Sequence, residues 1–494
     1  MKSEERTYFI RDNLWLTLAH ALLNLKRVIL LPILLGHLEL EVYGYYVVLI
    51  IFIEMLNQLS SLGIGFYYRR FLPAAATKIE RRDLFSVQFL FHLGMIGVCS
   101  LLVWEFGGAL DRLLMVSGAS YNRWLLVSYL VSMFLWSQSN NYFRLSGRIR
   151  AYGLGLALQP YLMILAVLVL LRVTGSVTID SILLSNTLSF LAIGIPYFVR
   201  IYLELGSLSF HVTPSRIIHD LQKGFPLVGQ YLSDFLLANA DKYILAFMLT
   251  TTAVAYYNPA YVLGSFALLL PRIMNPVLQP YLSRLADSRN HDDALRLLAM
   301  SMRYQIIIMA LFVTIVFATA SDILTLIAPK AVTDDTQLVA GTVAIGILFY
   351  SLGMTLSNYL FVKLDTRTIF VSNLMGGLLN VLLNVLFLML YRSILVPAIV
   401  TAISYAVMFA FIFFKVRKIS EYRLPPDFVI RVLSISVVAG LLAYFVQLAN
   451  MPPLIALILS VFAGGLSYVI LLFVAGEFSK DDPLIRWIVE LLPR

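Results

Sequence analysis

The sequence has little charge and almost no cysteine. Only 13% of its 494 residues are Asp, Glu, Lys or Arg, whereas a typical soluble protein has about 25%. Cys99 is the sole cysteine, so an intrachain disulfide is excluded and a thiolate metal site is not expected. These shortages exclude a disulfide-stapled secreted protein and argue against a soluble multidomain one.

Two kinds of catalytic motif are also missing. No loop of the G-x-x-x-x-G-K-[ST] type occurs, so ATP hydrolysis by this chain is not expected. No group of His, Cys and carboxylate residues has the spacing of metal ligands,. The sequence therefore predicts neither a cofactor nor a bound metal, and it does not favour an enzyme.

Long apolar runs fill the chain instead. Most approach the length of about 20 residues that crosses about 30 Å of hydrocarbon. Fourteen of them lie near residues 14–35, 43–66, 84–104, 124–143, 152–171, 182–201, 225–249, 254–278, 304–320, 337–361, 369–390, 395–414, 432–448 and 454–475. The connections between them leave no room for a further domain. The sequence thus predicts an all-α polytopic membrane protein with 14 transmembrane helices, the first of which is retained rather than cleaved as a signal peptide.

Lysine and arginine are unevenly distributed among the connections. Of the 37 Lys and Arg residues, 28 lie in the two tails and the even-numbered connections, five lie in the odd-numbered connections and four lie inside runs. Because short loops rich in Lys and Arg remain cytoplasmic, this bias predicts that both termini are in the cytoplasm. The same loops explain the net charge of +9, so no nucleic-acid partner is expected.

A weak internal repeat divides the chain. Residues 22–49 align without gaps on residues 236–263, at an offset of 214, and Tyr43 pairs with Tyr257. Six spans separate the two copies, so both would enter the membrane from the same side and enclose a site between them. At this offset His20 pairs with Asp234.

The repeat predicts the domain organisation. Residues 1–210 would form an N-lobe of six helices and residues 211–427 a C-lobe of six, arranged pseudo-symmetrically around a central cavity. Residues 428–494 would add spans 13 and 14 and a cytoplasmic tail. In that tail, Leu484–Leu492 places its apolar side chains on one face, which predicts an amphipathic helix at the inner membrane surface.

Polar residues are concentrated in spans 1, 2, 7 and 8. An ionisable residue near the bilayer centre costs about 2.5–3.5 kcal/mol, so each one needs a reason. Helical spacing places the polar side chains of each span on one face. They are His20, Asn24 and Arg27 with the adjacent Lys26; Glu54, Asn57, Gln58 and Ser61; Gln230, Asp234 and Asp241 with the adjacent Lys242; and Asn258, Tyr261, Ser265 and Arg272. Counting about 1.5 Å per residue places Arg27, Asp241 and Glu54 within about 5 Å of one height.

The cations of these spans have both structural and functional interpretations. Arg27 is either half of an ion pair with Glu54 or Asp241, or an anion-binding group in a wet cavity. Lys26 and Arg272 either extend towards headgroups or contact a ligand.

The remaining polar groups are equally open to two interpretations. Lys242 favours a neutralised pair with Asp241. The three acids Asp234, Asp241 and Glu54 are either proton or sodium sites or helix-pairing groups. His92 in span 3 and the asparagines of span 11 favour hydrogen bonds between helices.

Two stretches of the chain resemble a known family. Residues 27–49 (RVILLPILLGHLELEVYGYYVVL) combine an apolar span containing a proline, a Leu-Gly turn, and Tyr-Gly at the start of span 2. Residues 223–261 combine Gly-x-Pro at entry, a mid-span Asp, and Tyr-x-x-Ala at the start of the next helix. The chain thereby resembles the Wzx-type polysaccharide or lipid-linked oligosaccharide flippases of the multidrug/oligosaccharidyl-lipid/polysaccharide (MOP) exporter superfamily. It departs from them at Thr250–Ala253, where relatives often carry glycine.

The resemblance implies a function and a set of site residues. A protein of this family would flip a polyprenyl-pyrophosphate-linked oligosaccharide, such as a repeat unit of lipopolysaccharide or exopolysaccharide, across the cytoplasmic (inner) membrane by alternating access. Substrate binding would fall on Arg27, Lys26, Arg272, Lys242, His20 and Asn24, and coupling to H⁺ or Na⁺ on Asp234, Asp241 and Glu54. The implied partners are the lipid-linked substrate, membrane lipids, and a polysaccharide polymerase or biosynthesis complex.

Three other functions stay open. A multidrug or cation antiporter of the same superfamily should have a cavity dominated by acids, whereas these spans hold four cations against three carboxylates. A membrane-embedded glycan polymerase or acyltransferase usually carries catalytic residues on a long outer loop, and none here exceeds about twenty residues. A purely structural subunit of an export complex would not need ionisable residues in four spans.

Overall fold

The protein is built from helices. Its structure, a computed structural model, describes residues 3–113, 121–209, 214–224, 226–287, 291–420, 422, 424–449 and 451–477. The α-helices in these ranges are α1 (Ser3–His37), α2 (Leu40–Leu59), α3 (Ile64–Phe71), α4 (Lys78–Leu113), α5 (Arg123–Leu145), α6 (Ile149–Thr174), α7 (Ile179–Leu205), α8 (Pro214–Gly224), α9 (Pro226–Met248), α10 (Thr251–Ser265), α11 (Leu269–Asp287), α12 (His291–Ile327), α13 (Thr336–Val362), α14 (Thr366–Leu390), α15 (Leu395–Ile419), α16 (Pro426–Gln447) and α17 (Pro453–Val474). Short 3₁₀ turns lie at Leu72–Ala74, Phe266–Leu268 and Pro329–Ala331. The regular structure of these ranges is helical throughout, which confirms the predicted class.

Twelve helical segments in the described ranges are long and apolar enough to cross a membrane. One of them, Thr251–Asn275, joins α10 to the start of α11. Helices α5 and α9 have 23 residues each, which is also enough to cross about 30 Å. They are more polar, however, and α9 carries Asp234, Asp241 and Lys242. A polytopic helical protein is therefore confirmed, whereas the crossing of α5 and α9 and the cytoplasmic location of both termini stay predictions.

The chain divides into two compact units, residues 1–255 and residues 256–494. We call them unit 1 and unit 2. Unit 1 holds α1 to α9 and the start of α10, and unit 2 holds the remainder. The lobe boundaries inferred from the repeat stay predictions, and the segment Leu484–Leu492 lies outside the described residues.

The turn between α1 and α2 and the turn between α9 and α10 lie at corresponding positions in the sequence. Helix α1 ends at His37, and α9 ends at Met248, 211 residues later. Helix α2 begins at Leu40, and α10 begins at Thr251, again 211 residues later. The turns therefore match at an offset three residues shorter than the ungapped alignment of the sequence, a difference of nearly one helical turn.

Unit 1 is held together by aromatic packing between its helices. Phe85 and Phe89 on α4 meet Tyr142 and Phe134 on α5, with ring centroids 5.5 and 5.1 Å apart respectively. All four side chains are buried. Helix α1 is fixed to α6 by Trp15, whose indole nitrogen donates a hydrogen bond to the Arg150 carbonyl at 3.1 Å. These contacts provide a rigid support for the polar groups described below.

Unit 2 contains a hydrogen bond and an ion-pair cluster that join its helices. Asn380 on α14 donates through Nδ2 to the Thr401 hydroxyl on α15 at 3.1 Å, which confirms the predicted bond between helices for this asparagine of span 11. After α17, the buried carboxylate of Glu477 accepts hydrogen bonds from Arg431 at 2.7 Å and Arg303 at 3.4 Å. This cluster ties the end of α17 to α16 and α12.

Candidate functional site

Close backbone contacts hold α2 to the segment that carries α9. A Cβ atom added to Gly44 at the start of α2 would overlap the carbonyl of Thr251. At the other end of α2, a Cβ atom on Gly224 would overlap the carbonyl of Gly63. Gly63 itself has a φ of 82°, a left-handed conformation that glycine adopts at little cost. Only glycine allows both approaches, so these residues fix α2 beside α9.

The turn that departs from the family pattern is closed by a hydroxyl group. The Thr250 Oγ1 atom accepts a hydrogen bond from the Ala253 N–H at 3.1 Å. This contact supplies a partner for one of the free N–H groups at the start of α10. A threonine cap therefore begins α10 at this turn.

A charged cluster lies between α1 and α2 in unit 1. Lys26 and Arg27 both lie close enough to Glu54 to interact with it electrostatically. The side chains of Arg27 and Glu54 are exposed, and that of Lys26 is half-buried. Among the residues that the structure describes, Arg27 has no salt bridge within 4.0 Å. Arg27 and Glu54, the predicted ion pair, therefore lie near each other without forming a salt bridge. The guanidinium donors of Arg27 stay available to a ligand.

Asp241 and Lys242 on α9 form a buried pair. Both residues are 3% exposed, and the Lys242 Nζ atom lies 3.2 Å from the Asp241 Oδ1 atom. Nζ also donates to the Ala238 carbonyl at 3.2 Å. Arg27 is near enough to act on Lys242 electrostatically. The neutralised pair expected from the sequence is thus present, beside the charged cluster.

The other predicted site residues are placed differently. His20 on α1 is half-buried, and its carbonyl accepts a hydrogen bond from the buried Asn24 side chain at 2.7 Å. Asp234 on α9 is half-buried and lies near Tyr231. Arg272 belongs to unit 2, where its side chain is exposed on α11. The predicted roles of these residues, and of the charged cluster, stay predictions.

Four tyrosines around Glu54 were not predicted from the sequence. Tyr46, Tyr129, Tyr231 and Tyr243 each lie within electrostatic range of its carboxylate. The four side chains come from α2, α5 and α9, and phenol groups donate hydrogen bonds to anions. With 27 tyrosines in the chain, residue type alone singles none of them out. Tyr231 had one usable signal, because it precedes Asp234 by three residues and therefore shares its helix face.

A second polar site in unit 1 is centred on His92. The Gln138 Nε2 atom on α5 donates to His92 Nδ1 at 2.7 Å. The proton of the ring therefore lies on Nε2, which is 3.0 Å from the Asn57 carbonyl and 2.7 Å from the Ser60 hydroxyl, both on the α2 side. His92 thus joins α2, α4 and α5, which confirms the predicted bond between helices.

An open cavity lies beside His92. Its solvent-accessible space is about 70 Å³, enough for several water molecules,. The side chains around it are mostly neutral and polar. They are Asn57, Gln58, Ser61, Tyr68, Arg69, Gln88, His92, Ser137, Gln138 and Asn141, together with Gly65. Three of these were on the predicted polar face of span 2, and the others come from α3, α4 and α5.

Comparison with known proteins places these features in a family. A protein family described as "Polysaccharide biosynthesis protein" matches residues 9–286 of the chain, which is more than half of it. The chain belongs to this family. The matched region includes the charged cluster, the buried pair and the cavity beside His92. No curated protein matches the chain as a relative.

Solved structures share the fold at low sequence identity. The lipid II flippase MurJ in an inward closed conformation is 17% identical, with a TM-score of 0.73, over 94% of this chain and 98% of its own. The Vibrio cholerae MATE transporter VcmN is 13% identical, with a TM-score of 0.61, over 86% and 99% respectively. A MOP superfamily transporter from Pyrococcus furiosus, whose binding pocket is described as having reverse polarity, is 15% identical, with a TM-score of 0.52, over 83% and 94%.

The family match and the shared fold confirm the resemblance drawn from the sequence. This family member has the fold of MOP-superfamily proteins, in which both flippases and multidrug transporters occur. It is a multi-pass membrane protein of polysaccharide biosynthesis. These relatives are transporters rather than enzymes, in accord with the expectation for this chain.

Proposed function

We propose that this protein flips a polyprenyl-pyrophosphate-linked oligosaccharide from the cytoplasmic to the outer leaflet of the inner membrane. The observation that carries the proposal is the cluster of Lys26, Arg27 and Glu54 in a region matched to polysaccharide biosynthesis proteins. A structural relative that flips lipid II supports a lipid-linked substrate. The product would be available to a polymerase or another member of a polysaccharide assembly complex.

The cations of the cluster suit the pyrophosphate. The guanidinium of Arg27 presents paired donors that match phosphate oxygens, and Lys26 adds a second positive charge. Away from bulk water such contacts are far stronger than on a protein surface. His20 and Arg272 are further predicted substrate contacts, whereas the buried Lys242 and Asn24 would support the polar surface from behind it.

The acids suit coupling to an ion gradient. Glu54 balances Lys26 and Arg27 when no substrate is bound, because opposite charges lie within electrostatic range. A pyrophosphate arriving at the same cations would face a like charge on Glu54, which favours uptake of H⁺ or Na⁺ by the carboxylate. Release of that ion would then accompany release of the substrate. Asp234 and Asp241 are the other candidates for this role.

The membrane topology belongs to the same proposal. Fourteen crossings, with α5 and α9 included, return both termini to the cytoplasm and keep the basic connections on the inner side. Six-helix lobes around a central cavity would then alternate between inward and outward access.

The first test is the substitution Arg27→Ala. In a strain that lacks the native gene, we expect this variant to accumulate to the normal level and to abolish surface polysaccharide, because the main pyrophosphate contact is lost. The lipid-linked oligosaccharide should collect on the inner leaflet, where it can be extracted and measured. The matched control is Arg172→Ala, which removes an exposed arginine near the end of α6, away from the cluster.

Two results would contradict the proposal. Normal surface polysaccharide at normal protein level would remove Arg27 from the binding site. Transport of organic cations by purified wild-type protein in vesicles, with no effect on lipid-linked glycan, would favour the multidrug antiporter instead.

A further inference from the structure

The cavity beside His92 has an unusual chemical lining. Five of its side chains are primary amides, namely Asn57, Gln58, Gln88, Gln138 and Asn141. Of the described residues that surround it, none is a carboxylate and one is a cation. A divalent cation prefers carboxylate oxygens, and a phosphate is bound by several cations or N–H groups. The lining therefore suits neither, whereas amides, which both donate and accept hydrogen bonds, suit a neutral ligand rich in hydroxyl groups.

Three side chains that line the cavity carry buried polar atoms that have no hydrogen-bond partner within the described part of the chain. They are Asn57 Oδ1, Gln88 Oε1 and the Tyr68 hydroxyl. The three residues are 6%, 4% and 4% exposed. A buried acceptor without a donor is destabilising, because it has given up its hydrogen bond to water. Hydroxyl groups of a ligand, or water in its absence, would supply the missing donors.

The amide groups of Gln88 and Gln138 already form hydrogen bonds, which hold the unpaired oxygen of Gln88 in place. Gln138 Nε2 donates to His92, and Gln138 Oε1 accepts from Gln88 Nε2 at 3.4 Å. Gln88 therefore uses its amide nitrogen in a hydrogen bond, and its Oε1 atom is left without a donor. A side chain held in this way loses little rotamer freedom when a ligand binds, so the cavity is preorganised.

The cavity adjoins the charged cluster along one face of α2. Asn57 and Gln58 follow Glu54 by three and four residues, which places the three on the same side of α2, and Ser61 follows in the turn after the helix,. The helical rise separates Asn57 and Gln58 from Glu54 by about 5–6 Å. That distance is comparable to the width of one sugar ring. A ligand with its pyrophosphate at Arg27 would thus bring the sugar bonded to that pyrophosphate to the mouth of the cavity.

We propose that the cavity formed by α2, α3, α4 and α5 binds the first sugar of the lipid-linked glycan, the one bonded directly to the pyrophosphate. This proposal rests on the proposed function. The sugar hydroxyls donate to Asn57 Oδ1 and Gln88 Oε1, and the exposed Gln58 and Arg69 flank the opening. Glycans whose first sugar places its hydroxyls differently leave these oxygens unpaired and bind more weakly.

The test uses two lipids that differ only in the sugar. Purified full-length protein in lipid nanodiscs is titrated with polyprenyl pyrophosphate and with polyprenyl-pyrophosphate N-acetylglucosamine. We expect Gln88→Leu and Asn57→Leu to weaken binding of the sugar-bearing lipid about tenfold, since each leaves a sugar hydroxyl without its acceptor. Binding of the sugar-free lipid should not change. The matched control is Gln159→Leu, which removes a buried amide that bonds Ser189 on α7.

The outcomes separate this proposal from the function on which it rests. Wild-type protein that binds neither lipid contradicts the proposed function. Wild-type protein that binds both lipids equally, or variants that weaken both to the same extent, contradicts the sugar site alone. The sugar-selective loss in both variants, absent from the control, supports it.

A second measurement needs no variant and covers the case in which a substitution prevents folding. The wild-type protein is irradiated with a polyprenyl-pyrophosphate N-acetylglucosamine that carries a photoreactive diazirine on the sugar. Labelling of peptides that contain residues 57–69, 88–92 or 137–141 supports the site. Labelling confined to other peptides overturns it.

Discussion

Neighbouring charges in unit 1 differ in their surroundings, and this difference separates their roles. Arg27 is exposed beside Glu54, while Lys242 is buried against Asp241. A buried ion pair is costly to break, because the remaining charge has neither water nor partner. An exposed cation keeps its donors for a ligand. The structure therefore favours Arg27 over Lys242 as the residue that meets the substrate.

The buried pair yields a prediction at the residue scale. Lys242→Met should lower the free energy of unfolding by about 3–5 kcal/mol, because the buried carboxylate of Asp241 loses its ion-pair partner at 3.2 Å,. The double variant Asp241→Asn with Lys242→Met should recover most of that loss. Thermal unfolding of the detergent-solubilised proteins measures both. Lys78→Met, an exposed lysine at the start of α4, serves as the control, and an equal loss in that variant would contradict the assignment.

The same double variant separates stability from coupling. If Asp241 takes part in ion coupling, the double variant folds but its transport no longer depends on the ion gradient. A double variant with wild-type coupling would leave Asp234 and Glu54 as the remaining acids.

At the scale of elements, α2 is the helix on which both polar sites depend. Its side chains reach the charged cluster through Glu54 and the amide-lined cavity through Asn57. Its position is set by backbone contacts near its ends, where Gly44 meets Thr251 and Gly63 meets Gly224. Helices approach this closely only where side chains are absent.

A substitution at Gly44 tests this arrangement. Gly44→Ala should place a methyl group into the Thr251 carbonyl, so we expect α2 to be displaced and stability to fall by about 1–3 kcal/mol. Glycan export should fall as well, because both sites lie on the displaced helix. Gly36→Ala is the control, since a Cβ atom there has nothing within 4 Å. Export and melting temperature that match this control would contradict the proposed role of Gly44.

At the scale of the whole molecule, the number of crossings decides on which side each connection lies. Twelve apolar spans are present in the described ranges, and α5 and α9 are the two helices in question. Polar residues reduce their apolarity, but a helix that buries its polar face against other helices can still cross the membrane. Helix α5 packs against α7, and α9 packs against α2.

Cysteine labelling tests the fourteen-span topology. After Cys99→Ser, the variants Ser176→Cys, Asp334→Cys and Ser207→Cys each place one thiol in a connection. We expect a membrane-impermeant maleimide added to intact cells to label the first two and not the third. Loss of labelling at position 176 would mean that α5 does not cross, and loss at position 334 alone would mean that α9 does not. Permeabilised cells, in which all three should react, are the control.

Much of the architecture was predictable because the membrane acts on each helix separately. Backbone groups in hydrocarbon must be satisfied within one segment, so an apolar run of the right length becomes a helix wherever it occurs. Local spacing likewise predicts which residues share a face, as with Glu54, Asn57 and Gln58 on α2. The local pattern therefore determined the helical class, most spans and the candidate charges.

The tertiary structure alone decided which of these faces meet. The tyrosines around Glu54 come from three helices as far apart in the chain as Tyr46 and Tyr243, and the cavity beside His92 draws on four. The buried state of Lys242 and the contact between Gly63 and Gly224 are likewise absent from any local pattern. Such contacts depend on how side chains of distant segments fit together in space. The sequence of one helix does not by itself specify which helix it will pack against.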